Sequence, residues 1–366
     1  MNNKKNRYHY LDLVKIIAIY LVCFYHFAEI NFDITTSNAM STYINYFIKT
    51  LLSACVPLFF IVNGALILNK ELDIYMHIKK TIRLFIITFI WGAILLSSYG
   101  VIMGDSYSVL GFIKSLVTWK EGRLNLLWYL QTLTCIYILF PIIKSVYDNK
   151  DKNILRYTAI IIVIFTFGIS FLNMILDVIQ ILVLGGLKFD GLINLILDKF
   201  NPFKGFYAYS IVYFIMGGII FQKIEDNTQK VSNTKLILFS ITSALILFLY
   251  GVIVSLNTRN LCDISWNGYD SIMTLIISIS IVIICFKLEY KIKNTKLLTV
   301  IGSNTLGIYL LHGIVGRLLK PFFISLPISG NLIFNIIYIF IFMMITLGIV
   351  LILKKIPLVK ELFKLG

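Results

Sequence analysis

The sequence predicts an all-α polytopic membrane protein, with about ten transmembrane helices around a central cavity and both termini in the cytoplasm. Hydrophobic residues make up 58% of the 366 residues and charged residues only 14%, far fewer than the roughly 25% of a soluble domain. The apolar residues form runs close to the roughly 20 residues that a spanning helix needs. These runs lack the alternation of barrel strands. Their backbone groups must therefore pair internally, as helices.

Ten apolar runs define the predicted spans, in chain order. They lie at about 10–30, 42–68, 83–103, 124–145, 154–176, 205–222, 235–256, 269–287, 298–320 and 331–353. The first run follows Lys4, Lys5 and Arg7 but is longer than a signal-peptide core and lacks a small-residue cleavage site, so we interpret it as a retained span. Pro57 should kink the second span. Residues 105–123 and 177–204 are weakly amphipathic and are predicted to lie along the outer interface.

The charge distribution supports this topology. The formal net charge is +15, from 33 lysines and arginines against 18 acidic residues. With an even number of spans and a cytoplasmic N-terminus, most of the basic residues fall in cytoplasmic loops, as the positive-inside rule requires. No separate basic domain or RNA-binding motif is present, so nucleic acid is not a predicted partner. We expect one integral-membrane domain over residues 1–366, with the lipid bilayer as partner; the oligomeric state is left open.

The cysteines do not indicate a metal site. All five except Cys262 fall inside predicted spans, and their spacing fits neither a metal site nor a disulfide framework. We interpret them as small buried hydrophobic residues, and no metal is predicted.

The first span carries polar residues that are costly in a membrane. They are Asp12, Lys15, His26 and Glu29, and intramembrane ionisable groups of this kind suggest function. Lys15 and His26 are eleven residues apart, which places them on one helix face, roughly 16 Å apart along the axis. We expect this face to point to a polar cavity.

This arrangement suits a two-part ligand. An anion entering from the cytoplasm would meet Lys15 first, and a reactive arm could then reach His26; coenzyme A, with a phosphate-rich head and a thioester arm, fits this description. A histidine can take a proton from a sugar hydroxyl near neutral pH. Glu29, three residues further on, could orient or charge-balance the ring. The structural alternative is that Lys15 snorkels to the interface and His26 hydrogen-bonds a neighbouring helix.

Four stretches, in order, resemble motifs of the acyltransferase 3 family. They are residues 11–18 with His26, residues 56–64, residues 127–130 with Pro141, and residues 307–312. The base-to-histidine spacing matches the family, with Lys15 where arginine is commoner, and Asn63 stands where the family usually has serine. Within that family, the chain resembles single-domain sugar O-acetyltransferases, such as those that modify enterobacterial common antigen.

This resemblance implies an activity and a location. The family's enzymes take an acetyl group, or another short acyl group, from cytoplasmic acyl-CoA and transfer it to a sugar hydroxyl of a surface or lipid-linked glycan. It implies His26 as catalytic base and Lys15 as its basic partner. Acetyl-CoA is then a donor substrate, no cofactor is permanently bound, and the bacterial cytoplasmic membrane is the expected location.

Further residues have both a functional and a structural interpretation. Lys79, Lys80 and Arg83 could grip CoA phosphates or anchor the cytoplasmic end of the third span. Trp128 and Tyr129 could stack on a sugar ring or join the interfacial aromatic belt, the interpretation we favour.

The late motif is open in the same way. His312, with Tyr309 one turn before it, lies within the membrane and could contact the acceptor or the thioester. A structural hydrogen bond to a neighbouring helix is the alternative for His312.

Two other functions compete with acyl transfer. In a transporter or glycan exporter, Lys15 and His26 would line a permeation path, and substrate would cross the membrane without loss of CoA thioester. A sensor or partner-binding membrane protein is a third possibility, although the ionisable residues of the first span argue against a passive role.

Overall fold

The structure, a computed structural model, describes residues 7–104, 107–119, 122–204, 207–227, 231–289, 291–292 and 295–364. Within these ranges the regular secondary structure is helical, without strands. Nine helical segments of the described part are long and apolar enough to cross a membrane. The chain is therefore an all-α, multi-pass membrane protein, as predicted. The cytoplasmic termini and the central cavity stay predictions, and Lys4 and Lys5 lie outside the described residues.

The helices are numbered α1 to α16 in chain order. The first eight are α1 His9–Phe27, α2 Met40–Leu52, α3 Cys55–Ile67, α4 Ile74–Met103, α5 Val109–Thr118, α6 Trp128–Asp148, α7 Lys152–Val163 and α8 Ile169–Leu184. The others are α9 Leu192–Leu197, α10 Tyr209–Asn227, α11 Asn233–Thr258, α12 Ile272–Glu289, α13 Thr295–Gly302, α14 Thr305–Ile324, α15 Leu332–Leu353 and α16 Pro357–Glu361. A 3-10 turn, Gly122–Leu127, precedes α6, and a π turn, Ile164–Gly168, joins α7 to α8.

The second predicted span is broken before its proline. The chain leaves the helix after Leu52 and starts again at Cys55, so Pro57 sits in the first turn of α3 instead of kinking one long helix. A proline ring clashes with the carbonyl four residues earlier, here that of Ser53, and lacks an N–H that the first turn does not need. The break at Ser53 satisfies both conditions.

The fifth predicted span is longer than expected. Helix continues through α7, the π turn and α8 to Leu184, where Gly185 ends it with a φ of 71°. Residues 177–184 are therefore helical and extend the fifth span beyond its predicted end, while the location of residues 177–204 along the outer interface stays a prediction. Asp177 and Gln180 are buried there, which breaks the apolar pattern although the helix continues.

The ninth span also differs from its prediction at its start. Residues 295–302 form the separate helix α13, and the long helix α14 begins only at Thr305.

The sixth predicted span, at 205–222, corresponds approximately to α10. The apolar part of this helix, Tyr209–Ile224, is short for a membrane span.

Packing divides the chain into two compact units built from interleaved segments. The first contains the chain up to Tyr25, residues Ile30–Lys70 and residues Val146–Gly302; the second contains His26–Glu29, Glu71–Ser145 and the chain from Ser303 onward. The expectation of a single domain stays a prediction.

In the first unit, α3 and α10 cross with their backbones in contact. A Cβ added at Gly64 would lie 1.7 Å from the carbonyl oxygen of Phe214, and one added at Gly217 would lie 2.0 Å from that of Ile61. Small residues of this kind allow membrane helices to approach closely.

Candidate active site

Two histidines that the sequence separates by almost the whole chain lie side by side in the second unit. His26 is the penultimate residue of α1, and His312 lies near the middle of α14. Their ring centroids are 5.3 Å apart, with the rings tilted by 48°. His26 is exposed, whereas His312 is only 1% exposed. The tertiary structure thus joins the predicted base to a residue predicted only to contact substrate.

The hydrogen bonding of His312 defines its tautomer. Its Nδ1 faces the backbone carbonyl oxygen of Tyr309, one turn earlier on α14. A carbonyl only accepts, so Nδ1 carries the proton and donates it. In the neutral ring Nε2 is then the basic nitrogen. Within the described residues this buried Nε2 has no hydrogen-bond partner, so it is able to accept a proton or a hydroxyl hydrogen.

Aromatic rings hold His312 in place. The Tyr309 ring stacks on it with centroids 5.6 Å apart, and Tyr129 meets Tyr309 edge-on at 5.5 Å. The Tyr309 hydroxyl donates to the carbonyl of Leu126. Both tyrosines are 5% exposed, so most of their surface serves packing around the histidine. Trp128, the first residue of α6, is half-buried.

Glu29 lies beyond the end of α1 and is oriented by the two last long helices. Its backbone N–H donates to the Asn335 side-chain oxygen at 2.7 Å, and its carboxylate pairs with Lys320 at 2.6 Å. Because α1 ends at Phe27, the helical spacing that suggested a contact between Glu29 and His26 does not apply. The role of Glu29 as a partner of the ring stays a prediction.

The sequence interpretation missed Asn335, which is fully buried. Its amide nitrogen donates to the carbonyls of Ser329 and Asn331 at 2.6 and 2.8 Å, so its oxygen is left to hold the backbone of Glu29. A lone amide inside the most apolar span was the signal that could have identified it.

Lys15 belongs to a charge cluster in the first unit. The Asp12 carboxylate, 3% exposed, contacts Arg7 at 2.5 Å and Lys15 at 2.6 Å. Arg7 also donates to the carbonyl of Thr299 at 3.3 Å. A Cβ on Gly302 would lie 2.6 Å from Asp12, so glycine makes room for the carboxylate. Two cations on one carboxylate leave a net charge of +1, which attracts an anion.

Apolar residues lie between Lys15 and His26 on α1. Both residues lie on the continuous helix α1, but Ile19 and Val22 between them are 0% and 3% exposed. The expected polar cavity along this face stays a prediction.

The other predicted cations lie at the start of α4. Lys79 and Lys80 are exposed, whereas Arg83 pairs with Glu361 at 2.7 Å and also donates to its backbone carbonyl at 3.1 Å. Arg83 therefore ties α4 to α16, and the lysines are accessible to an anion.

Comparison with known protein families identifies a match over nearly the whole chain. The model of a family described as an acyltransferase domain matches residues 8–355. No curated protein and no solved structure matches the chain.

Proposed function

Since the chain belongs to this acyltransferase family and is a multi-pass membrane protein, we propose that it moves an acetyl or other short acyl group from cytoplasmic acyl-CoA to a sugar hydroxyl. The acceptor is a surface or lipid-linked glycan, and the membrane is the bacterial cytoplasmic membrane. The observation that carries the proposal is the His26–His312 pair, in which the Nε2 of His312 is a basic nitrogen without a partner in the described structure.

Proton transfer at this pair completes the reaction. As the sugar oxygen attacks the thioester carbonyl carbon, an imidazole removes the hydroxyl proton. The carbon–sulfur bond then breaks, and the departing CoA thiolate takes the proton from the imidazole. His26 is the base that the family resemblance implies. His312 supplies the second basic nitrogen, and its hydrogen bond to Tyr309 orients the ring and places the proton of the neutral imidazole on Nδ1.

The donor's phosphates require cations. The Arg7–Asp12–Lys15 cluster has a net charge of +1 and a half-buried ammonium group, and Lys79 and Lys80 are exposed. Charge-assisted hydrogen bonds from these groups would bind the phosphates. A transporter or exporter is less well supported, because the family model that matches residues 8–355 describes an acyltransferase domain.

The test is turnover of acetyl-CoA by purified protein in nanodiscs, followed as free thiol and as acetylated glycan. His26→Ala should abolish turnover without unfolding the protein. His312→Asn is the sharper variant, because its amide nitrogen can still donate to Tyr309 while Nε2 is lost. We expect turnover to fall about 10²–10⁴-fold, the contribution of a general base.

His77→Gln is the matched control. The Nε2 of His77 contacts the carbonyl of Tyr137 at 2.7 Å, and a glutamine amide can keep that contact, so turnover should persist. Wild-type glycan acetylation by folded His26→Ala protein, or substrate flux without thioester loss, would contradict the proposed function.

A further inference from the structure

A polar cavity of about 430 Å³ lies within the first unit. Its walls come from α8, from residues 190–194 and 207–209, from α11 and from the loop that precedes α12. This volume is within the range of about 300–1,000 Å³ that small-molecule sites occupy. Neither the proposed donor cations nor the proposed proton-transfer groups line it, so it is available for another ligand.

The cavity is acidic. Asp177, Asp190 and Asp270 line it, and no lysine, arginine or histidine occurs among the described residues of its wall. Ser170 donates to the Asp270 carboxylate at 3.1 Å, and burial raises the pKa of Asp270 to about 6. A ligand with a negative charge would therefore be repelled.

One carboxylate oxygen of Asp177 can accept a further hydrogen bond. It is only 3% exposed. One of its carboxylate oxygens accepts from the Tyr250 hydroxyl at 2.9 Å, but the other is buried without a hydrogen-bond partner in the described structure. An unsatisfied buried carboxylate oxygen is costly, so a ligand that brings a hydroxyl to this wall would be favoured.

Aromatic rings complete the wall. Trp266, 38% exposed, meets the ring of Tyr269 edge-on at 5.6 Å, and Tyr209 stacks on Tyr269 at 6.4 Å. All three line the cavity. A pyranose ring has hydroxyl donors at its rim and C–H groups on its faces. The carboxylates of the wall can accept from the hydroxyl groups, and the aromatic rings can contact the C–H faces. An inorganic cation would not use the aromatic rings, and a purely apolar ligand would not use the carboxylates.

We propose that this cavity binds a pyranose ring without negative charge. Asp177 and Asp270 accept hydrogen bonds from its hydroxyl groups, and Trp266 covers one face of the sugar ring. The identification of this sugar as the acceptor in acyl transfer rests on the proposed function. The specificity that follows is for neutral or amino sugars over uronic acids and phosphorylated sugars.

Binding is measured first without acyl-CoA, by saturation-transfer NMR on nanodisc-embedded protein. The probes are methyl glycosides of glucose, galactose and N-acetylglucosamine, with methyl glucuronide as the anionic comparison. At least one neutral glycoside should bind, and glucuronide should bind at least tenfold more weakly. Asp177→Asn and Trp266→Ala should each weaken binding about tenfold, the effect of losing one charge-assisted hydrogen bond or one aromatic contact.

Asp198→Asn is the matched control, because Asp198 pairs with Lys204 at 2.8 Å and is not part of the cavity wall; its binding should equal that of the wild type. Trp266 is exposed, so its replacement tests the site even if Asp177→Asn fails to fold. Failure of every neutral glycoside to bind, equal binding of glucuronide, or unchanged binding by the folded variants would overturn the proposal.

Kinetics separate this inference from the proposed function. If both hold, Asp177→Asn and Trp266→Ala raise KM for the glycan and leave KM for acetyl-CoA unchanged. Sugar binding without any acyl transfer would refute the proposed function and keep the cavity assignment. Acyl transfer with an unchanged glycan KM in both variants would refute the identification of the bound sugar as the acceptor and leave the proposed function standing.

Discussion

Replacing Gly64 with alanine should force α3 and α10 apart. The new Cβ would lie 1.7 Å from the Phe214 carbonyl oxygen and 2.6 Å from its carbonyl carbon, whereas ordinary van der Waals contact begins at 3.4 Å. To bring the Cβ–oxygen distance from 1.7 Å to the contact distance of 3.4 Å, the helices must separate locally by up to about 1.7 Å. Both clashing atoms are backbone, so no side-chain rotation can relieve the overlap.

The free-energy cost follows from this geometry. Overpacking a close-packed interior typically costs about 1–3 kcal/mol, and more where nothing can relax. We expect Gly64→Ala to reduce the free energy of unfolding by about 3 kcal/mol. Gly217→Ala requires a slightly smaller separation of the same two helices, because its Cβ would lie 2.0 Å from the Ile61 carbonyl oxygen. The double variant should cost less than the sum of the single variants, since one displacement accommodates both methyl groups.

The assay is thermal unfolding of purified protein in one detergent. Gly348→Ala is the matched control: Gly348 lies within α15, and an added Cβ would have no atom within 4 Å. That variant should unfold at the wild-type temperature or slightly above it, because alanine favours helix over glycine by up to about 1 kcal/mol. If Gly64→Ala and Gly348→Ala unfolded at the same temperature, the close crossing of α3 and α10 would be refuted.

Two further predictions concern carboxylates of the first unit. Asp12→Asn should destabilise the protein by about 1–2 kcal/mol, because Arg7 and Lys15 lose their shared carboxylate but are themselves 40% and 19% exposed. It should not raise KM for acetyl-CoA, whereas Lys15→Met should. Thermal unfolding and kinetics together check both outcomes. Asp270 has a pKa raised by burial to about 6 from 3.8, so its folded-state penalty is absent below pH 3.8, grows as the pH rises towards 6, and reaches roughly 3 kcal/mol above that. Asp270→Asn should therefore raise the unfolding temperature at pH 7.5 and leave it almost unchanged at pH 4. An equal effect at both pH values would show that the pKa of Asp270 is not raised in the folded protein.

Most membrane helices could be predicted from the sequence because the apolar composition of each segment indicates that it lies in the membrane. A run of apolar residues is a local property, and α1, α11 and α15 match their predicted spans within a few residues. The errors occurred where long-range packing overrides the local pattern. Asp177 and Gln180 ended the apolar pattern of the fifth span, but the helix continues because tertiary structure buries both side chains.

The candidate site was predicted as separate residues and only partly as an arrangement. His26 and His312 were each singled out by their position inside apolar spans. Their pairing joins two side chains that lie almost three hundred positions apart in the chain, and such a distant contact leaves no trace in local spacing. The same holds for Glu29, whose carboxylate contacts Lys320 on α14; helical spacing could suggest only a neighbour on its own helix.

Composition and apolar periodicity alone determined that this protein is a helical membrane protein, since the cost of unpaired backbone groups in hydrocarbon depends only on the residues of each span. The polar residues of the first span and four ordered motifs were enough to suggest an acyltransferase. Which nitrogen of His312 is free, which carboxylate holds Lys15 and where the acidic cavity lies were decided by tertiary structure. Hydrogen bonds, ion pairs and cavities are formed by atoms from distant segments, and one-dimensional spacing does not constrain how those segments meet.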